Sequence, residues 1–356
     1  MTQQELTLRN LGQSLDDLAN LDPRGYGVCK ILYAASRAYA GGPTSMNAAQ
    51  QLVKTVNSGD IVYIMTGFVL RPFKKAEMDG IVSSALLCRA LVLAFDAKPV
   101  IVCPKANYEA VRQLSACVGL HLMEDMQQLH EIPVSMGVIC FTGDAALASA
   151  QADEMIARDH PAAVISIECP GANALGVYHN ATGLDVTELE AKQDILFEKL
   201  QAMGVLNIAI GDLGNEIGMG AIRDTLEAYI PYAGKNGCRC GCGGGIAVRT
   251  HADHLITATV SDWGCYAMIA ALAYLKGNPE IMHTPELEKS ALETACRSGM
   301  IDMYGWLIPA IDGFGEEINV PIVALMRELV KSALHLKGTC ATWFEKVEQL
   351  HYFDEH

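Results

Sequence analysis

Six short apolar runs, rich in β-branched residues and separated by helix-like segments, constrain the fold of this chain most strongly. Most of them stop at Gly, Pro or Asp, and each is too short for a buried helix. Runs that are apolar throughout are typical of a sheet buried on both faces. The runs are DIVYIMTG (60–67), KPVIVCP (98–104), MGVICFTG (136–143), AAVISIECPG (162–171), VLNIAIGD (205–212) and HLITATVSDWG (254–264).

The segments between these runs have helical character, as in 78–95, 107–120 and 145–160. Alternating strands and helices predict an α/β fold, with a doubly wound, mainly parallel sheet of about six or more strands flanked by helices. We expect one domain over 1–356, in which a helical segment (1–58) precedes the α/β core (59–264) and another helical segment (265–356) follows it. No internal repeat or Pro-, Gly- and Ser-rich linker interrupts it.

Composition narrows the class of ligand. The 356 residues carry 26 Lys and Arg against 41 Asp and Glu, giving a formal net charge of −15. Because a nucleic-acid-binding surface is basic, nucleic acid is excluded as an expected partner. We predict a small-molecule substrate, leave a homo-oligomer open, and find no uninterrupted apolar run of membrane-spanning length. The polar N-terminus lacks a secretion signal, so we expect a cytoplasmic protein.

Polar residues follow four of the runs. In a parallel sheet, ligands bind at the carboxyl ends of the strands, which is where these residues are expected to lie. The most unusual stretch, IGDLGNEIGMG (210–220), combines four glycines with Asp212, Asn215 and Glu216. It matches neither a dinucleotide fingerprint nor a phosphate-binding loop. Carboxylates in such loops indicate acid–base chemistry, a bound amine, or a hard cation such as Mg²⁺ or Mn²⁺ with Asp212 and Glu216 as ligands. The alternative for Asp212 is a helix N-cap.

The cysteine-rich stretch GCRCGCGGG (237–245) suggests a thiolate metal site, but two-residue spacing is tighter than a zinc hook and no second Cys or His pair stands at a standard distance. We therefore predict that Cys238, Cys240 and Cys242 are reduced and metal-free.

The order of five motifs resembles the D-glutamate cyclase family, specifically the C-terminal domain of the longer mitochondrial enzymes. The motifs are TGF followed by EMDG, then SIECPGANALGVYHN, IAIGDLGNEIGMG and VSDWGCYA, and the resemblance extends from about Asp22 to Ala267. The chain departs from the family pattern at Met78, Cys169 and Leu213. These departures put the substrate in doubt more than the fold.

The resemblance implies a lyase that interconverts D-glutamate and 5-oxo-D-proline plus water. We expect Asp212, Glu216, Glu77 and Asp79 to be catalytic. The residues expected to bind substrate are Thr66, Gly67, Arg71, Glu168, Gly171, Asn173, Gly214, Asn215, Gly218, Ser261, Trp263 and Gly264. Each has a structural alternative: Trp263 as a packing residue, for instance, and Arg71 as part of a solvated loop.

Two other functions stay open. One is a non-catalytic metabolite-binding protein with the same fold, and the other is an enzyme that acts on another small amino or hydroxy acid.

Overall fold

A computed structural model describes residues 2–336 and 341–351. Within them, seven parallel strands form one sheet, and a two-stranded antiparallel hairpin stands apart from it. The strands of the sheet are β1 (Ile61–Thr66), β4 (Lys98–Cys103), β5 (His121–Met123), β6 (Ser135–Cys140), β7 (Ala163–Ile167), β8 (Leu206–Gly211) and β9 (His254–Thr257), and the hairpin strands are β2 (Val69–Leu70) and β3 (Lys75–Ala76).

Helices connect and cover these strands. They are α1 (Gln3–Ala19), α2 (Val28–Ala40), α3 (Thr44–Thr55), α4 (Ile81–Phe95), α5 (Tyr108–Cys117), α6 (Met126–Glu131), α7 (Ala145–Asp159), α8 (Gln193–Ala202), α9 (Arg223–Tyr229), α10 (Ser261–Leu275), α11 (Pro285–Arg297), α12 (Glu316–Leu336) and α13 (Ala341–Gln349). None of the described helices is long and apolar enough to cross a membrane.

The predicted sheet is confirmed, and its order is β5-β6-β4-β1-β7-β8-β9. Alternate side chains of a strand point to opposite faces. In β1, Val62 and Ile64 join one hydrophobic core, whereas Tyr63 and Met65 join the other. Burial on both faces therefore explains why the strand is apolar at every position.

Two strand predictions differ from the structure. The edge strand β5 escaped prediction because it has three residues, all partly exposed. The last run was predicted too long, since β9 ends at Thr257 and helix α10 begins at Ser261. Ser261 to Gly264 thus form the first turn of a helix instead of the end of a strand.

Helix α10 joins the terminal helical segments to the sheet. Every residue from Ser261 to Tyr274 is buried, and α10 contacts α1, α3, α4 and α12. A helix that is apolar on all sides must be covered on all sides, which the N- and C-terminal helices do. The single-domain organisation stays a prediction.

Candidate active site

The sheet has a topological switch point at β1. From β1 the chain first builds the sheet through β4, then crosses after β6 to β7 on the opposite side of β1. In open α/β sheets, the loops diverge at such a point and leave a crevice at the carboxyl ends of the strands. The loops after β1 and β7 carry two of the four polar segments predicted to form the site.

Hydrogen bonds connect the four predicted segments. Ser261 Oγ donates to Glu168 Oε2 at 2.7 Å, and the Ser261 amide donates to Asp79 Oδ2 at 3.2 Å. The Gly171 amide donates to the carbonyl of Asn215 at 3.0 Å. The loops after β1, β7 and β8 and the start of α10 therefore enclose one space.

Carboxyl groups dominate this space, and we call the six of them the acidic cluster: Glu77, Asp79, Glu168, Asp212, Glu216 and Asp312. All six residues are buried or nearly so. Asp79, Asp212 and Asp312 offer oxygens that lie within 4.8 Å of one another, and so do Glu168, Asp212 and Glu216. Asp212 belongs to both sets and is the centre of the cluster.

Burial and mutual repulsion raise the pKa of several of these carboxyl groups. Burial is the main cause of the raised pKa of Asp212, and the charges of Glu168 and Asp312 add to it. The pKa of Glu77 is raised well above its ordinary value by burial first, and then by Asp312 and Asp302. So many charges cannot be buried together without compensation, so the cluster holds protons or a cation at neutral pH.

The carboxylate of Glu216 closes the glycine-rich loop. Its oxygens accept hydrogen bonds from the amides of Leu213 (3.1 Å) and Gly214 (2.7 Å), while the Gly218 amide donates to Thr250 Oγ1. These amides are already engaged and are not free to bind a substrate carboxylate.

No helix begins within this loop. The next one, α9, starts at Arg223 after a short 3-10 turn, so the alternative that Asp212 is a helix cap is wrong. Instead, a carboxyl oxygen of Asp212 lies within 4.8 Å of one of Asp312, so a proton on either group would relieve the repulsion between them.

Asp79 and Asp262 connect the N-termini of α4 and α10 through hydrogen bonds to backbone amides. Asp79 Oδ1 accepts from the amides of Asp262 (3.0 Å) and Gly80 (2.8 Å), and Asp262 Oδ1 accepts from Gly80 (2.8 Å) and Ser83. Carboxylates are stabilised at helix N-termini by free amides and the helix dipole. The pKa of Asp262 still rises to about 7, chiefly because of burial. This pair fixes the two helices beneath the cluster.

Glycines allow the backbone to approach the cluster closely. Gly80 has φ +81°, and a Cβ there would lie 2.6 Å from Thr66 Oγ1 and 2.8 Å from Glu168 Cβ. Gly67 has φ +110°, and its Cβ would lie 2.8 Å from Pro104. Only glycine fits these positions without moving the neighbouring groups.

A group of buried polar atoms beside Gly67 makes no hydrogen bond with the described residues. They are Thr66 Oγ1, both amide atoms of Asn107, Glu190 Oε2 and Gln193 Oε1. A Cβ on Gly67 would lie 3.0 Å from the Asn107 amide, and Gln193 Nε2 donates to the Thr66 carbonyl at 3.1 Å. Buried polar groups without partners call for an explanation, and a bound ligand is one. We call these four residues the polar pocket.

Sequence reasoning missed Asn107, Glu190 and Gln193. Asn107 lies between β4 and α5, so its position at the carboxyl end of a predicted strand could have identified it. Glu190 and Gln193 lie at the end of a long connection without periodicity between β7 and α8. Burial raises the pKa of Glu190 to about 8, so this carboxyl is largely protonated at neutral pH.

Sequence reasoning also missed Arg24 and Asp312. The Arg24 guanidinium lies 3.2 Å from Asp312 Oδ2 and bonds to its carbonyl as well. The two residues are 288 positions apart, so only the fold brings this positive charge to the acidic cluster.

Several predicted residues lie away from the crevice or serve the scaffold. Trp263 is fully buried, and its indole donates to Asn319 Oδ1 at 2.7 Å, while Gly264 packs against Ile210. Arg71 is exposed in the β2–β3 turn. These positions support the structural alternatives, in which Trp263 is a packing residue and Arg71 belongs to a solvated loop.

Three further predicted residues support the loops. Asn173 uses its side chain to bind the carbonyl of Gly245 (2.8 Å) and the amides of two residues of its own loop. Gly218 has φ +92°, and a Cβ there would lie 2.3 Å from Ala209 Cβ. Asn215 Nδ2 donates to the carbonyl of His179 at 3.2 Å, and its Oδ1 is buried without a partner.

The donor chemistry of the acidic cluster suits a hard divalent cation. All donors are carboxylate oxygens, which Mg²⁺ and Mn²⁺ accept in place of water. Two sets of carboxylates could hold it, either Asp79, Asp212 and Asp312 or Glu168, Asp212 and Glu216. In the second set, the oxygens of Glu216 already accept two backbone amides.

Comparison with known proteins shows the family of this chain. A family model described as D-glutamate cyclase-like, C-terminal, matches residues 15–327. The human protein D-glutamate cyclase, mitochondrial (Homo sapiens), is 33% identical over 113 residues. That alignment covers 32% of this chain and 17% of the human protein. Because the family model matches most of the chain, the chain belongs to the D-glutamate cyclase-like, C-terminal family.

Proposed function

We propose that this protein is a lyase that interconverts D-glutamate and 5-oxo-D-proline plus water. The choice of substrate rests on family membership and on the name of the human relative. The observation that carries the reaction class is the acidic cluster with raised pKa values, placed at the switch point beside the polar pocket.

Ring closure needs two proton transfers. The amine nitrogen bonds to the side-chain carboxyl carbon, and one C–O bond of that carboxyl breaks. The ammonium group loses two protons, and the departing oxygen takes up two protons to leave as water. The net charge of substrate and product is the same. The catalyst must therefore carry protons from nitrogen to oxygen, which groups with a pKa near neutrality do best.

Asp212 is the residue to which we assign this proton transfer. It is central in the cluster, and its raised pKa makes it a stronger base than an exposed carboxylate. Glu168 is a second carrier, because its pKa is also raised by burial and by Glu216, and Ser261 Oγ holds one of its oxygens in place. Glu77 and Asp79 remain in the proposal as cluster members that sustain these shifts.

The polar pocket orients the substrate. The Asn107 amide and the protonated Glu190 carboxyl can donate to the substrate α-carboxylate, while the acidic cluster attracts its ammonium group. Thr66 and Gln193 add two acceptors or donors on the same side, and Gly67 leaves the space open. Gly171, Gly214, Asn215 and Gly218 shape the opposing loop.

A cation would replace proton transfer by the carboxylates that hold it, because a nearby positive charge lowers the pKa of a carboxyl group. Bound Mg²⁺ or Mn²⁺ would supply charge neutralisation for the substrate side-chain carboxylate and make its carbon more open to attack. The residues that would hold it are Asp79, Asp212 and Asp312, or Glu168, Asp212 and Glu216.

The experiment is to incubate purified protein with D-glutamate, L-glutamate or 5-oxo-D-proline, with and without Mg²⁺ or Mn²⁺, and to separate the products by chiral chromatography. In ¹⁸O-labelled water, ring opening should place label in the side-chain carboxylate of D-glutamate. Arg71→Ala, a change in an exposed turn, serves as the matched active control.

The outcomes separate the proposal from its alternatives. Turnover of D-glutamate or 5-oxo-D-proline supports it. Saturable binding of D-glutamate without turnover would favour a metabolite-binding protein, and turnover confined to another amino or hydroxy acid would reassign the substrate.

A further inference from the structure

Three cysteines and a histidine converge at a place that the proposed reaction does not use. His179 Nε2 lies 3.2 Å from Cys240 Sγ and 3.6 Å from Cys242 Sγ. Cys238 Sγ lies 3.4 Å from Cys242 Sγ and 3.5 Å from Cys240 Sγ. All four ligand atoms lie within 4.8 Å of one another.

We propose that His179, Cys238, Cys240 and Cys242 bind one structural zinc ion. Three thiolates and one imidazole are a common donor set for zinc, which binds four ligands tetrahedrally. With Zn–S bonds of about 2.3 Å, sulfur atoms at two corners of the tetrahedron are about 3.8 Å apart. The observed separations are slightly shorter and need only a small outward movement of the side chains.

The local backbone explains how ligands at every second position can face one centre. Gly241 separates Cys240 from Cys242 and Gly243 follows Cys242, and they adopt φ +79° and +87°, which residues with a side chain rarely adopt. The chain therefore curls around the sulfur atoms, and the Gly244 amide donates to Cys242 Sγ at 3.4 Å. Spacing alone argued against a zinc hook because it does not reveal these two turns.

The fourth ligand comes from a distant part of the sequence. His179 lies 61 residues before Cys240 and is fully buried, with Nε2 toward the sulfur atoms. Backbone contacts hold the two segments together, since the amides of Arg239 and Cys240 both donate to the carbonyl of Gly183. The inference reverses our expectation that Cys238, Cys240 and Cys242 are metal-free.

The zinc ion would order loops beside the active site. The carbonyl of His179 accepts from Asn215 Nδ2 in the glycine-rich loop. On the other side of the four proposed zinc ligands, Asn173 Nδ2 donates to the carbonyl of Gly245. The ion would therefore connect the segment after β7 to the cysteine loop and support the loop that carries Asp212.

The first measurement is the zinc content of the full-length protein, purified under reducing conditions, by elemental analysis. We expect about one zinc per chain. Cys240→Ser should remove most of it, and Cys140→Ser, which changes another exposed cysteine, should retain it. Asp212→Asn should also retain it, because this ion is independent of the acidic cluster.

A second measurement covers the case in which the cysteine variants fail to fold. Wild-type protein stripped of metal and reduced is titrated with Co²⁺ alone, and thiolate-to-cobalt charge-transfer bands with tetrahedral visible bands are expected. The inference would be overturned if the purified protein contained no zinc and the Co²⁺ titration gave none of these bands. So would zinc that persists in Cys240→Ser but is lost in Asp212→Asn, or a Cys238–Cys242 disulfide in the native protein.

Discussion

Asp212→Asn separates the chemistry of the acidic cluster from its structural role. The amide has the size of the carboxyl and keeps one acceptor oxygen, but it cannot carry a proton between substrate atoms. If Asp212 moves a proton, kcat should fall by about 10²- to 10⁴-fold, the usual contribution of a general acid or base. At about 1.36 kcal/mol per tenfold change, this is a loss of about 2.7 to 5.4 kcal/mol in transition-state stabilisation.

The stability of Asp212→Asn, in contrast to its kcat, should not fall below that of the wild type. The pKa of Asp212 is raised by burial and by Glu168 and Asp312, so its charged form destabilises the folded protein. A carboxyl group with a raised pKa holds its proton more tightly in the folded state, and its unfavourable effect grows as pH increases. The Tm of the variant should therefore equal or exceed the wild-type Tm, with a larger difference at pH 8 than at pH 5.

The matched control is Asp16→Asn, which changes a buried carboxylate far from the cluster. Asp16 accepts hydrogen bonds from the amides of Thr44 (2.6 Å) and Ser45 (3.1 Å) at the start of α3. Although burial also raises the pKa of Asp16, both of its oxygens accept backbone amides, and Asn would turn an NH2 group toward one of those donors. This variant should therefore lose stability and keep its kcat. Steady-state kinetics with chiral product analysis, together with thermal unfolding, measure both effects. An Asp212→Asn enzyme with kcat within about threefold of wild type would refute the assignment of Asp212.

Three other substitutions test the surroundings of the cluster. Asn107→Ala should lower kcat/KM about tenfold or more without lowering the Tm, because its side-chain amide makes no hydrogen bond to lose within the described part of the chain; unchanged kinetics would remove it from the site. Trp263→Phe should cost about 1–3 kcal/mol of stability through the lost bond to Asn319, with normal turnover of the folded enzyme; a lost kcat would return Trp263 to the site. Glu190→Gln tests a carboxyl whose pKa rises to about 8 from its ordinary value of 4.5. Between these pH values only the folded state holds the proton, so the contribution of Glu190 to wild-type stability falls as pH rises from about 4.5 to 8. The variant should therefore show a flatter profile of Tm against pH, and a profile identical to that of the wild type would contradict the raised pKa.

Much of the site was predictable because its residues follow strands. Glu168 and Asp212 come directly after buried apolar runs, and parallel strands bring their carboxyl ends to one edge of the sheet. The same rule placed Ser261 in the site, where it bonds to Glu168, although β9 ended earlier than predicted and α10 begins at Ser261. It also placed Trp263 in the site, although the helical twist turns that side chain into the core against Phe314.

The amino-acid sequence by itself determined the alternation of strands and helices, because periodicity and turn residues act over a few neighbouring positions. Only the tertiary structure decided which groups share a space: Arg24 with Asp312, Asn107 with Gly67, and His179 with the cysteine loop. Desolvation and Coulomb energies depend on distance and burial in three dimensions, not on separation along the chain. The raised pKa values of the acidic cluster, and hence its chemistry, are therefore properties of the fold.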